Sequence, residues 1–104
     1  PMFRGILSTI YLDLNKGINI KKLEKELNNV YSKSRFVKIL KINTSISTND
    51  VINTNNCHLS ICKTKYKNRV IILSAIDNLI KGGAGQAIQN MNLKFNFPET
   101  KGLK

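Results

Sequence analysis

The sequence predicts an α+β fold, a largely antiparallel mixed sheet with helices on one face, and three features of its pattern carry that prediction. Residues 5–14 alternate with a period of two, and residues 69–76 gather the β-branched Val70, Ile71, Ile72 and Ile76, so both read as strands. A polar turn at 65–68 joins the second of these to another strand at 57–63, which makes a hairpin. Two stretches, 19–31 and 82 onward, change to a helical period, and segregated strands and helices pack as layers.

The elements follow in order. In the first strand Ile6, Ser8, Ile10 and Leu12 fall on one side, and Leu7, Thr9, Tyr11 and Asp13 on the other. Asn15, Lys16 and Gly17 end it. Asn19 is a suitable N-cap for a helix to about Tyr31, with Ile20, Leu23, Leu27 and Val30 or Tyr31 as its apolar stripe. Residues 36–42 read as a second strand and 43–50 as a polar loop.

Residues 74–93 are the part around which the chain is organised. Asp77 and Asn78 stop the last strand, in keeping with turn and cap chemistry. Beyond Gly82, the residues Ala84, Ile88, Met91 and Phe95 form a stripe that is expected to face a core, with Gly82, Gln86, Gln89 and Asn90 on the opposite side. No charge occurs between Lys81 and Lys94, although the chain uses lysine freely elsewhere. Each glycine costs roughly 1 kcal/mol relative to alanine in a helix. Gly82, Gly83 and Gly85 therefore serve either a close packing contact or the approach of another body to the backbone.

A length of 104 residues allows one domain, too small for a dinucleotide fold plus a catalytic domain. No G-x-G-x-x-G occurs, so no Rossmann unit is expected here, and an opening on Pro1 favours a fragment or excised domain. The net charge of +11 would ordinarily point to nucleic acid or an anionic membrane. The lysines are scattered, however, and only 7% of residues are aromatic, so no stacking platform is expected. Lys, Asn and Ile are enriched together, and the charge reads mainly as compositional drift with some pull on anionic substrates. No apolar run approaches the roughly 20 residues of a membrane span, and a soluble cytoplasmic protein is expected.

Two cysteines make structural disulfides an unattractive reading. Cys57 and Cys62 are separated by an odd number and point to opposite faces of a strand, with His58 beside Cys62. The chain has no second histidine to complete a tetrahedral site, so no metal is expected.

Three blocks then carry a family resemblance. The string DNLIKGGAGQAIQNMNL at 77–93 resembles the signature of N-acetyl-gamma-glutamyl-phosphate reductases, the NADP-dependent enzymes of arginine biosynthesis. PMFRGILSTIY at 1–11 resembles the segment just after that family's catalytic histidine, and FPETKGL at 97–103 is similar to its C-terminal PET-x-GL. The blocks span the chain in the family's order. The shorter pattern DNL-x-KG-x-A is shared with aspartate-semialdehyde dehydrogenases.

The resemblance implies a C-terminal substrate-binding and dimerisation-type domain over 1–104, of the kind found in glyceraldehyde-3-phosphate and semialdehyde dehydrogenases. An N-terminal NADP-binding domain would be absent from it, and a homo-oligomer is implied. The nucleophilic cysteine and catalytic histidine would lie upstream, so Cys57, Cys62 and His58 inherit neither role. Arg4 would grip the carboxylate or phosphate of an acyl phosphate substrate. Gln86 and Asn90 would face the nicotinamide, whose carboxamide an amide can match as donor and acceptor together. Gly82 and Gly83 would admit the cofactor, and Lys81 would add positive charge beside it.

The implied reaction of the complete enzyme is reductive dephosphorylation. A cysteine thiolate attacks the acyl phosphate, phosphate leaves, and hydride from NADPH reduces the thioester to N-acetylglutamate semialdehyde. The isolated chain is expected to be inactive. Two alternatives compete: a relative acting on an aminoadipate derivative or aspartyl phosphate, and a standalone basic module binding nucleic acid, whose affinity would fall with salt.

Overall fold

The computed structural model describes residues 2–104. Four strands, β1 (Ile6–Asp13), β2 (Val37–Ile39), β3 (Cys57–Lys63) and β4 (Arg69–Ile76), form one sheet in the order β1-β4-β3-β2. The β1–β4 and β3–β4 pairs are antiparallel and β2–β3 is parallel. The sheet is therefore mixed and mostly antiparallel, and the fold class is α+β.

Helix α1 (Ile20–Tyr31) starts where the sequence places it. Asn19 holds an extended conformation and its side chain accepts from the Lys22 N–H at 3.0 Å, satisfying one of the donors that a helix start leaves open. Its Ile20, Leu23 and Leu27 cover Ile61, Val70 and Ile72 together with Leu12 and Leu59. Ile61 is wholly inaccessible to solvent, a burial that stabilises by about 1.5–3 kcal/mol.

The register confirms the alternation read along β1, with Leu12 opposite Val70 and Ile10 opposite Ile72. On the sheet's other face the loop between β2 and β3 packs over β3, where the Ser60 hydroxyl donates to the Thr44 carbonyl at 2.7 Å. Gly5, at φ +113°, lets Thr48 approach, since a Cβ there would lie 2.8 Å from two Thr48 side-chain atoms. The second strand is shorter than the expected 36–42. Asn43 takes a left-handed φ of 64° and bends the chain away, although Leu40 and Asn43 still donate to the Leu59 and Ile61 carbonyls at 2.8 Å each.

After β4 the chain enters a wide turn, Ile80–Ala84, in which the Gly82 and Ala84 N–H groups bond to carbonyls five residues back at 3.1 and 3.2 Å. Helix α2 (Gly85–Lys94) follows. Here the structure overturns the expected facing. Gly85, Gln89 and Asn92 are buried, whereas Met91 and Phe95, read as core, are 46% and 65% exposed. Gln89 correspondingly leaves the outer side on which the sequence placed it.

The reason is the polarity of what α2 packs against. Gln89 accepts from Asn55 Nδ2 at 2.9 Å and donates to Glu99 at 2.7 Å, and Asn92 donates to the Glu99 and Lys101 carbonyls at 3.1 and 2.9 Å. Backbone and amides need partners that methyl groups cannot supply. Apolar side chains are exposed on β1 as well, Ile6 and Ile10 on one face and Leu7 and Tyr11 on the other. A radius of gyration of 15.1 Å, against about 13 Å for a compact domain of this size, describes the same open shape.

Candidate functional site

The start of β1, the end of β4 and the entry to β3 converge at one end of the sheet, because Ile6 pairs with Ile76 and Cys57 pairs with the same residue from the other side. Arg4, Asp77 and the 53–56 loop thus become neighbours. Asp77 is wholly buried, and each carboxylate oxygen is used twice. Oδ1 accepts from the Leu79 and Ile80 N–H groups at 2.9 and 3.2 Å, while Oδ2 accepts from Asn53 N–H at 2.8 Å and from Arg4.

Burial alone pushes the Asp77 carboxyl upward. The bonds from Asn53, Leu79, Arg4 and Ile80 outweigh that effect and hold it below the ordinary 3.8. The charge that remains fixes Arg4. Its Nη2 also donates to Asn53 Oδ1 at 2.7 Å, and Gly5 N–H donates to Asn78 Oδ1 at 2.7 Å. The turn and cap reading of Asp77 and Asn78 therefore holds, with a reach across 73 residues that turn chemistry alone does not show. Arg4 Nε is buried without an acceptor among the described residues.

Lys81 turns inward. Its ammonium donates to Gln89 Oε1 at 2.6 Å and lies 5.6 Å from the centre of the Phe36 ring. Burial lowers its pKa below 10.5, with Cys57 and Glu99 pulling the other way. Lys81 and Glu99 also fix the orientation of the Gln89 amide, oxygen toward the cation and nitrogen toward the carboxylate, and so require Asn55 to present its Nδ2.

Gln86 and Asn90 lie on one face of α2, joined by a hydrogen bond from Gln86 Nε2 to Asn90 Oδ1 at 3.0 Å. The bond uses one donor and one acceptor. Whichever way the two amides are turned, one oxygen and one amino group remain outward without a partner among the described residues. Gly82 and Gly83 sit exposed at the turn before them. Gly85 is the packing glycine of the three: a Cβ there would lie 2.4 Å from Asn55 Oδ1 and 2.6 Å from an Ile80 methyl.

The structure thus joins Gln86 to Asn90 and ties Arg4, through Asp77, to the turn that carries the glycines. Lys81 belongs to a separate buried network. Asn53, Asn55, Gln89 and Glu99 were not foreseen as members of this end of the molecule, and Asn53, at φ 62°, is the one with a local signal, a residue type that tolerates left-handed backbone. Cys57 and Cys62 are free and on opposite faces, and Cys57 Sγ lies 3.7 Å from Ser74 Oγ. Among the described residues no three His, Cys, Asp or Glu side chains gather in a metal-binding group. No helix there is long and apolar enough to cross a membrane.

The sequence of this domain has relatives among known proteins. The chain belongs to the family described as "Semialdehyde dehydrogenase, dimerisation domain", whose model matches residues 1–78. It is similar along its whole length to proteins named N-acetyl-gamma-glutamyl-phosphate reductase, so the resemblance in the three sequence blocks extends across the chain. The protein of that name from Vesicomyosocius okutanii is 50% identical over 105 residues, covering 100% of this chain and 29% of that protein. The one from Halothermothrix orenii is 45% identical, covering 100% and 30%. A "Probable N-acetyl-gamma-glutamyl-phosphate reductase, chloroplastic" from Arabidopsis thaliana is 42% identical, covering 99% and 26%. The chain spans less than a third of the length of these relatives.

Proposed function

We propose that this chain is the C-terminal substrate-binding and dimerisation-type domain of a cytoplasmic, NADP-dependent N-acetyl-gamma-glutamyl-phosphate reductase of arginine biosynthesis. The observation that carries the reading is the identity of 41–50% over nearly the whole chain to proteins of that name. In the complete protein a Rossmann domain, a nucleophilic cysteine and a catalytic histidine would come from outside residues 1–104. The 104-residue chain alone has no turnover.

The site geometry supports a division of labour. Gln86 and Asn90 offer one outward acceptor and one outward donor, the complement of a primary carboxamide such as that of nicotinamide, and the bare Gly82 and Gly83 backbone leaves room beside them. NADPH, when bound, supplies the hydride. Lys81 contributes positive potential from within the fold. Arg4 is held on Asp77 and Asn53, and the part of its side chain that stays exposed would meet an oxygen of an acyl phosphate substrate.

In this scheme the thiolate displaces phosphate from the acyl group, and the resulting thioester is reduced to the aldehyde with release of the thiol. The family's description and the open apolar surface of β1 support assembly as a homo-oligomer. The test is an assay of the complete protein with NADP, phosphate and, in turn, N-acetylglutamate semialdehyde, aspartate semialdehyde and an aminoadipate semialdehyde analogue. A preference for the acetylated substrate on the order of 100-fold or more is expected, because a site built to pair a polar group rejects an analogue without it. No turnover, or a preference for the aspartate or an aminoadipate analogue, contradicts the proposal.

A further inference from the structure

Lys63, Lys65, Lys67 and Arg69 lie on one stretch of chain, and the fold sets it against the start of α1. Asp13 pairs with Arg69 across β1 and β4, and Leu14 N–H donates to the Asn68 carbonyl at 2.6 Å, so segments 13–22 and 63–69 meet. They set Lys63, Lys65, Lys67 and Arg69 beside Asn19 and Ile20 at the start of α1, and Asp13 is the one carboxylate on the two segments. Asp13 is occupied by Arg69, at 2.7 and 3.1 Å. Among the described residues no carboxylate forms an ion pair with Lys63, Lys65 or Lys67.

These four cations line a cavity of about 370 Å³, within the range of small-molecule sites. Buried Val70 and partly buried Ile20 give it an apolar side, and Lys63, Lys65, Lys67 and Arg69 give it a basic one. The Tyr66 ring holds two of these cations beside it, the Lys65 ammonium at 5.0 Å and the Arg69 guanidinium at 5.8 Å. Asn19, also in the lining, caps only the Lys22 N–H, so the first N–H groups of α1 add their partial positive charge there. The length of β4 sets the cavity about 23 Å from Asp77, at the other end of the sheet from the site described above.

We propose that this cavity is a second ligand site, for a small polyphosphorylated compound of the nucleoside polyphosphate class. The phosphates lie on the lysine rim and the base lies against Ile20 and Val70. Its concave form and single aromatic ring suit a compact anion better than a nucleic-acid strand, which needs a track of cations and several stacking rings.

The test is calorimetric titration of the complete protein with ATP, without divalent metal and with NADP at saturation so that the dinucleotide site is filled. One saturable event is expected. It weakens at least tenfold, or about 1.4 kcal/mol, in a Lys65→Glu, Lys67→Glu variant and by less in the Lys→Gln pair. A Lys33→Glu, Lys38→Glu control, with the same change in net charge at exposed positions near the other end, keeps wild-type affinity. Absence of binding, equal weakening by the control pair, or insensitivity to Lys65 and Lys67 overturns the proposal. So does binding of a single-stranded oligonucleotide through these lysines without binding of ATP. ATP binding and NADP-dependent turnover are read separately, so failure of one leaves the other standing.

Discussion

Replacing Asp77 by alanine removes the group that binds three parts of the chain together. The Asn53, Leu79 and Ile80 N–H groups lose their acceptor, and Arg4, whose side chain is 21% exposed, keeps only Asn53 Oδ1. Removing one partner of a buried ion pair costs about 3–5 kcal/mol, and the partial exposure of Arg4 sets the lower part of that range. At about 4 °C or more per kcal/mol for a domain of this size, the melting temperature falls by more than about 10 °C. Urea denaturation read by circular dichroism measures the loss. Asp77→Asn falls between, since its oxygen can still serve Leu79 and Ile80 while its amino group opposes Arg4 and Asn53 N–H. The carboxyl titrates below 3.8 in the fold, so its contribution is complete above the unfolded pKa and disappears as pH falls through the folded one. The deficit of the alanine variant should therefore shrink in acid. A loss below about 0.5 kcal/mol at neutral pH, the scale of an ordinary surface change, refutes the keystone role of Asp77.

Two further outcomes concern packing and pH. Gly85→Ala places a methyl 2.4 Å from Asn55 Oδ1 and should destabilise by about 1–3 kcal/mol, whereas Gly83→Ala meets nothing nearer than 3.4 Å; equal denaturant midpoints for wild type and Gly85→Ala would show that α2 does not seat on Asn55. His58 has a buried Nε2 without a partner among the described residues, and burial, with help from Lys38 and against Asp50, lowers its pKa below 6.5. The folded chain favours neutral histidine, so stability is complete above the unfolded pKa and declines as pH falls from about 6.5 through the folded value. Denaturant midpoints between pH 7.5 and 5 should decline less in His58→Gln, and parallel curves would contradict this.

The elements that local pattern specifies were legible in the sequence. Helix α1 has its cap at Asn19 and its stripe at Ile20, Leu23 and Leu27, and the β3–β4 hairpin follows from β-branched runs around a polar turn. Asp77 and Asn78 were readable as turn residues. Their partners were not, because Arg4 and Gly5 lie 73 residues away. The facing of α2 failed for a related reason. Its inner side meets Asn55, 34 residues before Gln89, and backbone carbonyls of the tail, so Gln89 and Asn92 go inward and Met91 and Phe95 outward. The basic side of the cavity was readable, since Lys63, Lys65, Lys67 and Arg69 all fall within 63–69, but its apolar side was not, because only the fold brings Ile20 beside them. The glycines divide along the same line: Gly85 is set by a distant side chain, and Gly82 and Gly83 remain open at the surface.

In the proposed reductase the outward amides of Gln86 and Asn90 orient the cofactor and do little for the fold. Steady-state kinetics and thermal melts of the complete protein carrying Gln86→Ala or Asn90→Ala test it together. Loss of one or two hydrogen bonds to the carboxamide should lower kcat/KM for NADP by roughly tenfold, about 1.4 kcal/mol, with stability within about 0.5 kcal/mol of wild type. A fall in melting temperature with unchanged kcat/KM for NADP would contradict the claim.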